Sequence, residues 1–184
     1  MSTSFLTIAE ASERIAAGTL TSDQLTRDCL DRIAALNETL HAFVLVREDE
    51  AMAAARAADA EIAAGRRIGP LHGIPMGIKD IVETAGVRTT GQSALFLDRV
   101  PERSAHLWER LEAAGAILIG KTTTWEFAIG GTAHDLPFPP ARNPWDPSRE
   151  TGGSSSGSAA AVAAGLCSGA IGTDTGGSVR VPAA

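Results

Sequence analysis

The sequence has 184 residues, of which 44% are hydrophobic and 21% are charged, and its formal net charge is −6. This length and composition are typical of one globular domain and exclude a predominantly disordered chain. The negative charge and the absence of a basic run disfavour a nucleic-acid partner, and no apolar run is long enough for a membrane span.

The first third of the chain is predicted to be helical. Residues 7–10 and 21–24 fit the capping box, in which side chains satisfy free backbone N–H groups at a helix start. The second helix carries apolar residues at helical spacing: Leu25, Cys29, Ile33 and Leu36. A strand is predicted at 43–46, followed by an alanine-rich helix over 48–64 that ends at Gly65.

The middle and last thirds alternate between strands and helices. Strands are predicted at 74–82 and 116–119, separated by a helix over 104–114 with Leu107, Trp108 and Leu111 on one side. A proline-rich loop follows at 136–147, and residues 151–158 are all Gly, Ser or Thr. A small-residue helix over 159–164, a short strand near Ala170 and a second glycine-rich turn complete the pattern.

This order predicts an α/β fold. Strands separated by helices favour a mixed, largely parallel β-sheet core flanked by helices and preceded by N-terminal helices. We divide the chain into a mainly helical lead-in, residues 1–65, and an α/β core, residues 66–184. Cys29 and Cys167 match no metal or redox spacing and indicate a reducing compartment. The first residues do not form a signal peptide, so we expect a cytoplasmic protein.

Lysine is rare in this sequence. Only two of the 16 basic residues are lysines, Lys79 and Lys121, and each lies beside an apolar run. A lysine buried beside a strand loses hydration and its pKa falls. The alternative is that each side chain extends along the apolar surface and keeps its amine in water.

Several catalytic and binding patterns can be weighed. The phosphate-loop and dinucleotide-loop patterns are absent, and so is S-x-x-K. Residues 153–157 fit G-x-S-x-G with Ser155 at the centre, but a nucleophile elbow needs a preceding strand and a loop is predicted there. The four histidines share no sequence context. The remaining possibility is serine catalysis in which a desolvated Lys79 acts as the base. The turn at 172–178 would then offer backbone N–H groups for an oxyanion hole. The alternative is that both glycine-rich turns are tight structural corners that need glycine.

Four segments together resemble the amidase signature family. They are residues 73–80 (Gly-Ile-Pro-Met-Gly-Ile-Lys-Asp), 119–127, 142–146, and the long stretch from Gly152 to Ala183. The resemblance implies the amidase signature fold and a Ser–cis-Ser–Lys triad, with Ser178 as nucleophile, Ser154 as proton relay and Lys79 as base. It also implies that the chain hydrolyses a carboxylic amide, or a carbamate or ester.

The resemblance assigns further roles. Backbone N–H groups of Thr175, Gly176, Gly177 and Ser178 would form the oxyanion hole. Ser155 would support the network around Lys79, and the backbone near Ala128 and Ile129 would line the acyl pocket. The peptide bond between Gly153 and Ser154 would be cis. No metal or organic cofactor is expected.

The family pattern is not followed throughout. Residues 131–136 lack the Thr-Glu-Asn type sequence of the tRNA-dependent amidotransferase's A subunit, which favours a stand-alone amidase. The family domain continues for a few hundred residues past the nucleophile motif. We therefore expect residues 1–184 to be its N-terminal part, to need the remainder of the domain, and to be inactive and poorly soluble when isolated.

The expected partner is a small-molecule amide, and no membrane partner is expected. The sequence leaves open whether the protein forms a homodimer. The alternatives are the A subunit of the amidotransferase, acting as a glutaminase, and a non-catalytic fragment that pairs with a second chain.

Overall fold

The computed structural model describes residues 3–184. Its first two helices are α1 (Ile8–Ala16) and α2 (Ser22–Leu40). Each begins at a capping box, formed by Thr7 with Glu10 and by Thr21 with Gln24, so both predicted helix starts are confirmed. These caps fix where the lead-in helices start, and the buried apolar residues of each helix pack it against the rest of the protein.

The remaining elements alternate along the chain. They are β1 (Phe43–Val46), α3 (Glu48–Ala63), β2 (Pro75–Lys79), α4 (His106–Ala113), β3 (Ile117–Thr122), α5 (Ser156–Ala163), β4 (Gly169–Ile171) and α6 (Arg180–Ala183). Short 3-10 turns occur at Ala94–Phe96 and Glu126–Ala128. None of the helices formed by residues 3–184 combines the length and the apolar character that crossing a bilayer requires.

The four strands form one sheet in the order β1-β3-β2-β4. β2 pairs in parallel with β3 and with β4, and β1 pairs antiparallel with β3. The predicted mixed, largely parallel sheet is therefore confirmed. Because parallel strands end at the same edge, the residues that follow β2, β3 and β4 come together there.

Helices pack on both faces of the sheet. Ile117 and Ile119 of β3 share a core with α2, α3 and α5. Leu118, which points to the other face, packs with Ile78 of β2 and Trp108 of α4. These two clusters are separate, and α1, the start of α2 and the start of β2 form a third. The position of a side chain along a strand decides which cluster it enters.

Several details differ from the sequence prediction. β3 runs over Ile117–Thr122, three residues beyond the predicted end at 119. β2 ends at Lys79, three residues earlier than expected, because the chain turns at Asp80. Leu107 of α4 is 42% exposed, whereas Trp108 is buried as expected. Helix α5 begins at Ser156 instead of Ala159, because its first turn is buried against the sheet edge.

Candidate functional site

Lys79 is the last residue of β2 and its side chain is fully buried. Its Nζ atom lies 2.7 Å from Ser154 Oγ, 2.9 Å from Ser155 Oγ and 2.8 Å from Thr173 Oγ1. The alternative prediction, in which the Lys79 side chain keeps its amine in water, is therefore wrong. The amine instead lies among three hydroxyl groups at the edge where β2 and β4 end.

Burial changes the acid–base chemistry of Lys79. Loss of hydration lowers the pKa of this amine to about 8, and the Asp174 carboxylate acts in the opposite direction by stabilising the charged form. A pKa near 8 leaves an appreciable neutral fraction at physiological pH. This amine can therefore accept a proton, which an exposed lysine does poorly.

We call the loop before α5, which carries Ser154 and Ser155, the serine loop. The peptide bond between Gly153 and Ser154 is cis in this structure. The Trp125 N–H donates to the Ser154 carbonyl oxygen at 3.2 Å, which ties this loop to the segment after β3. Both serine side chains are buried.

Ser155 is fully engaged by its neighbours. Its hydroxyl accepts from the Thr173 N–H at 3.1 Å and donates to the Thr173 carbonyl oxygen at 3.2 Å, in addition to its contact with Lys79. No regular strand immediately precedes it in the described structure. The nucleophile-elbow interpretation of Ser155 therefore lacks its required geometry.

Ser178 lies beside the serine loop and is partly exposed. Its carbonyl oxygen accepts from the Ser155 N–H at 3.0 Å. Within residues 3–184, no hydrogen bond joins the hydroxyls of Ser154 and Ser178 in this conformation. The structure brings Lys79 and Ser154 into direct contact and places Ser178 next to them without closing that last link.

Asp174 organises the second glycine-rich turn. Its carboxylate accepts from the backbone N–H groups of Gly177, Val179 and Arg180 and forms an ion pair with the Arg180 guanidinium at 2.9 Å. These donors hold the pKa of the Asp174 carboxyl well below its usual range.

This arrangement bears on the expected oxyanion hole. The Gly177 N–H is already bonded to Asp174 at 2.8 Å. Among the described residues, the N–H groups of Thr175, Gly176 and Ser178 have no protein acceptor. They are the donors of this turn that stay available in the present conformation.

The segment expected to line the acyl pocket has an unusual backbone. Phe127 and Ala128 both have left-handed conformations, with φ of 48° and 61°. Their N–H groups are bonded, Phe127 to the Gly91 carbonyl and Ala128 to the Trp125 carbonyl. Ile129 is exposed. Two consecutive non-glycine residues in this region are rare and are often found at functional sites.

Lys121 forms a second buried lysine site on the opposite face of the sheet. Its Nζ donates to the Val82 carbonyl at 2.7 Å and to the hydroxyls of Thr89 and Thr84 at 2.6 and 3.2 Å, with Asp80 Oδ1 3.7 Å away. Burial lowers the pKa of Lys121 to about 8, against the effect of Asp80, and burial also raises the pKa of Asp80. The alternative prediction of an amine kept in water is therefore wrong for Lys121 as well.

Sequence reasoning missed Thr173 and Asp174 as site residues. The signal available was position, because both residues follow the strand predicted near Ala170, and the ends of parallel strands meet at one edge of a sheet. Within the described part of the chain, no histidine side chain is hydrogen-bonded to Ser154, Ser155 or Ser178, and no three His, Cys, Asp or Glu side chains come together as metal ligands would.

Comparison with known proteins gives consistent matches. A family model described as Amidase matches residues 24–184. The A subunit of glutamyl-tRNA(Gln) amidotransferase from Chloroflexus aurantiacus is 50% identical over 179 residues, which cover 97% of this chain and 37% of that protein.

Two solved structures, of a peptide amidase and of an amidotransferase A subunit, are also similar to this chain. The peptide amidase from Stenotrophomonas maltophilia is 41% identical with a TM-score of 0.89, over 96% of this chain and 38% of that one. The A subunit of the Thermotoga maritima glutamyl-tRNA(Gln) amidotransferase is 36% identical with a TM-score of 0.79, over 98% and 36%. The chain thus spans less than two fifths of the length of these relatives. It belongs to the amidase family.

Proposed function

We propose that this chain carries the catalytic centre of an amidohydrolase that works through an acyl-enzyme on Ser178. The observation that carries the proposal is the fully buried amine of Lys79, 2.7 Å from Ser154 Oγ, with its pKa lowered to about 8. A serine hydroxyl needs a base before it can act as a nucleophile. Lys79 supplies a base that does not depend on histidine.

The first half of the reaction transfers an acyl group. Neutral Lys79 accepts the proton of Ser154, while Ser154 accepts the proton of Ser178. The Ser178 oxygen then attacks the amide carbonyl carbon. Collapse of the tetrahedral intermediate breaks the C–N bond, and Ser154 passes a proton from Lys79 to the leaving amine. In the second half, water attacks the ester by the same proton route and releases the carboxylic acid and free Ser178.

The missing contact between Ser154 and Ser178 is compatible with this route. Hydrogen bonds in catalytic sites are often long without substrate and shorten when substrate binds. The Ser155 N–H already holds the Ser178 carbonyl at 3.0 Å, which anchors the Ser178 backbone beside Ser154. We propose that rotation of the Ser178 side chain then closes the link. Such rotations are fast compared with typical turnover.

The developing negative charge needs donors. We assign this role to the N–H groups of Thr175, Gly176 and Ser178. The Gly177 N–H would join them by exchanging its hydrogen bond to Asp174 for one to the oxyanion. The backbone around Ala128 and Ile129 would contact the acyl group from the other side. Its hydrogen bonds to Trp125 and Glu126 hold it in place.

The A subunit of a tRNA-dependent amidotransferase is the second candidate. The 50% identity with the Chloroflexus protein favours it. The same three residues would then release ammonia from glutamine. Glutamine hydrolysis and co-purification with partner subunits distinguish this role from a stand-alone amidase, which would turn over simple amides without partners.

A serine-directed fluorophosphonate tests the proposed centre in the full-length protein. We expect labelling at Ser178, mapped by peptide mass spectrometry, because that hydroxyl has both a base route and oxyanion donors. Ser178→Ala should abolish labelling, while Ser168→Ala should retain it. Labelling of Ser155 instead would contradict the assignment, and absence of labelling in folded protein would favour a non-catalytic role.

A further inference from the structure

A small cavity lies beside the serine loop. Its volume is about 10 Å³, which is near the least that a single water molecule needs. Its lining includes Gln92, Thr124 and Trp125 together with Gly152 and Ser156. The cavity is therefore too small for a substrate and matches one water-sized molecule.

Three buried polar atoms on the lining side chains have no hydrogen-bond partner within residues 3–184. They are Gln92 Oε1, Thr124 Oγ1 and Trp125 Nε1. Gln92 is 1% exposed and Thr124 is 2% exposed, so neither side chain is hydrated from the surface. Buried polar groups in native proteins nearly always have a partner, and ordered water is a common one.

The orientation of the Gln92 amide is fixed by its other contacts. Its Nε2 donates to the Phe138 carbonyl at 3.0 Å, with the Pro139 carbonyl 3.5 Å away. Two carbonyl neighbours require the nitrogen on that side, so the oxygen is the unpaired end. Gln92 also adopts a left-handed backbone, φ of 64°, which glycine would adopt with less strain. The hydrogen bonds of its carboxamide account for a glutamine at this position.

We propose that this cavity binds one water molecule that bridges Gln92, Thr124 and Trp125. The three atoms comprise an obligatory acceptor on Gln92, an obligatory donor on Trp125, and a hydroxyl on Thr124 that can do either. Water accepts from the indole N–H and donates to the amide oxygen, and so satisfies all three. An ammonium ion cannot, because it has no lone pair for the indole N–H.

The bridged side chain supports the serine loop directly. The Trp125 indole packs on Gly153 so closely that a Cβ atom there would lie 2.5 Å from Nε1. The Trp125 backbone N–H donates to the Ser154 carbonyl. The water therefore fixes the indole against which the loop rests, and Trp125 acts as a positioning residue for Ser154. This second role rests on the proposed function, whereas the water site does not.

A crystal structure of the protein, at a resolution that shows ordered water, tests the site. We expect one density peak within hydrogen-bond distance, about 2.7–3.2 Å, of all three atoms. Two outcomes would overturn the site: no peak, with the indole N–H bonded directly to Gln92, or a peak whose contacts fit a cation. Neither outcome depends on whether the protein hydrolyses amides.

The positioning role is tested by the rate constant for fluorophosphonate labelling of Ser178. Thr124→Val has the same shape as threonine but no hydroxyl, and Thr124→Ser keeps the hydroxyl. We expect about a tenfold slower rate for Thr124→Val and a near-normal rate for Thr124→Ser, because small displacements of reacting groups cost up to about 10²-fold. Equal rates for both variants, with the water present in the wild-type crystal, would overturn the positioning role. Absence of Ser178 labelling in the wild-type protein would overturn both the positioning role and the proposed function. The water site would still be tested by the crystal structure.

Discussion

The pH dependence of Ser178 reactivity provides the sharpest test of Lys79 as the base. With the pKa of Lys79 lowered to about 8, roughly one tenth of the amine is neutral at pH 7 and roughly nine tenths at pH 9. The rate of fluorophosphonate labelling, or kcat/KM for an amide, should therefore rise about tenfold between these values. Below pH 7 it should fall about tenfold for each pH unit. A rate that is flat between pH 6 and 9 would refute the reasoning.

Lys121 must be separated from Lys79 in this experiment, because burial lowers its pKa to about 8 as well. Arginine does not release its proton in this range, so Lys121→Arg removes the second titration. We expect the profile to persist in Lys121→Arg and the activity to be lost in Lys79→Arg. A Lys79→Arg protein with near-normal turnover would exclude Lys79 as the base.

The two lysines can also be observed directly. Residues 1–184 contain only Lys79 and Lys121, so selective ¹³C labelling of the lysine Cε atoms gives two signals from this chain segment. The Lys121→Arg variant assigns them. The signal of Lys79 should titrate with a midpoint near pH 8 and match the kinetic profile. Two midpoints near the ordinary lysine value of about 10.4 would show that burial does not lower the pKa as inferred.

Three further predictions concern the surroundings of the site. Asp174→Asn removes a carboxylate that stabilises charged Lys79, so the midpoint of the pH profile should move to lower pH. Lys121→Met leaves the Asp80 carboxylate buried without its cation and should lower the free energy of unfolding by about 3–5 kcal/mol at pH 7, measured in urea. Because burial raises the pKa of Asp80, this loss should be smallest below the ordinary Asp pKa of about 3.9 and grow as pH rises; a pH-independent loss would contradict it. Gly157→Ala places a Cβ 2.3 Å from backbone atoms and should cost about 1–3 kcal/mol in thermal unfolding, whereas Gly69→Ala, which meets nothing within 4 Å, should be nearly neutral.

Local sequence signals predicted the lead-in helices well. The capping boxes at Thr7 and Thr21 depend on residues three positions apart, so no tertiary information is needed to find them. Local propensity predicts too late a start for helix α5, because glycine and serine favour turns in isolation. In the folded chain the first turn of α5 is held by its neighbours: the Gly157 N–H donates to the Thr123 carbonyl at 3.0 Å. Tertiary contact overrides local propensity here.

The contacts of the site could be predicted only in part. The motifs around Lys79, Ser154 and Ser178 predict the site residues through the family resemblance, but not the distances between them. That Thr173 reaches Lys79 depends on β4 pairing with β2 in the register Ile78 to Ile171, which no local pattern specifies. The bond between Gly177 and Asp174 likewise depends on how one short turn folds back on itself. Strand order and turn conformation are properties of the assembled chain.

The burial of both lysines has a consequence for chemical modification. Their amines lie on opposite faces of one sheet, and the side chains of both are completely inaccessible to solvent. Reagents that acylate lysine amines, such as activated esters, can reach them only when the segments that cover each amine move away. Acylation of these two positions therefore reports local opening of the loops that cover the ends of β2 and β3. Apart from histidine, the exposed basic side chains of residues 3–184 are arginines, whose guanidinium groups such reagents leave unmodified.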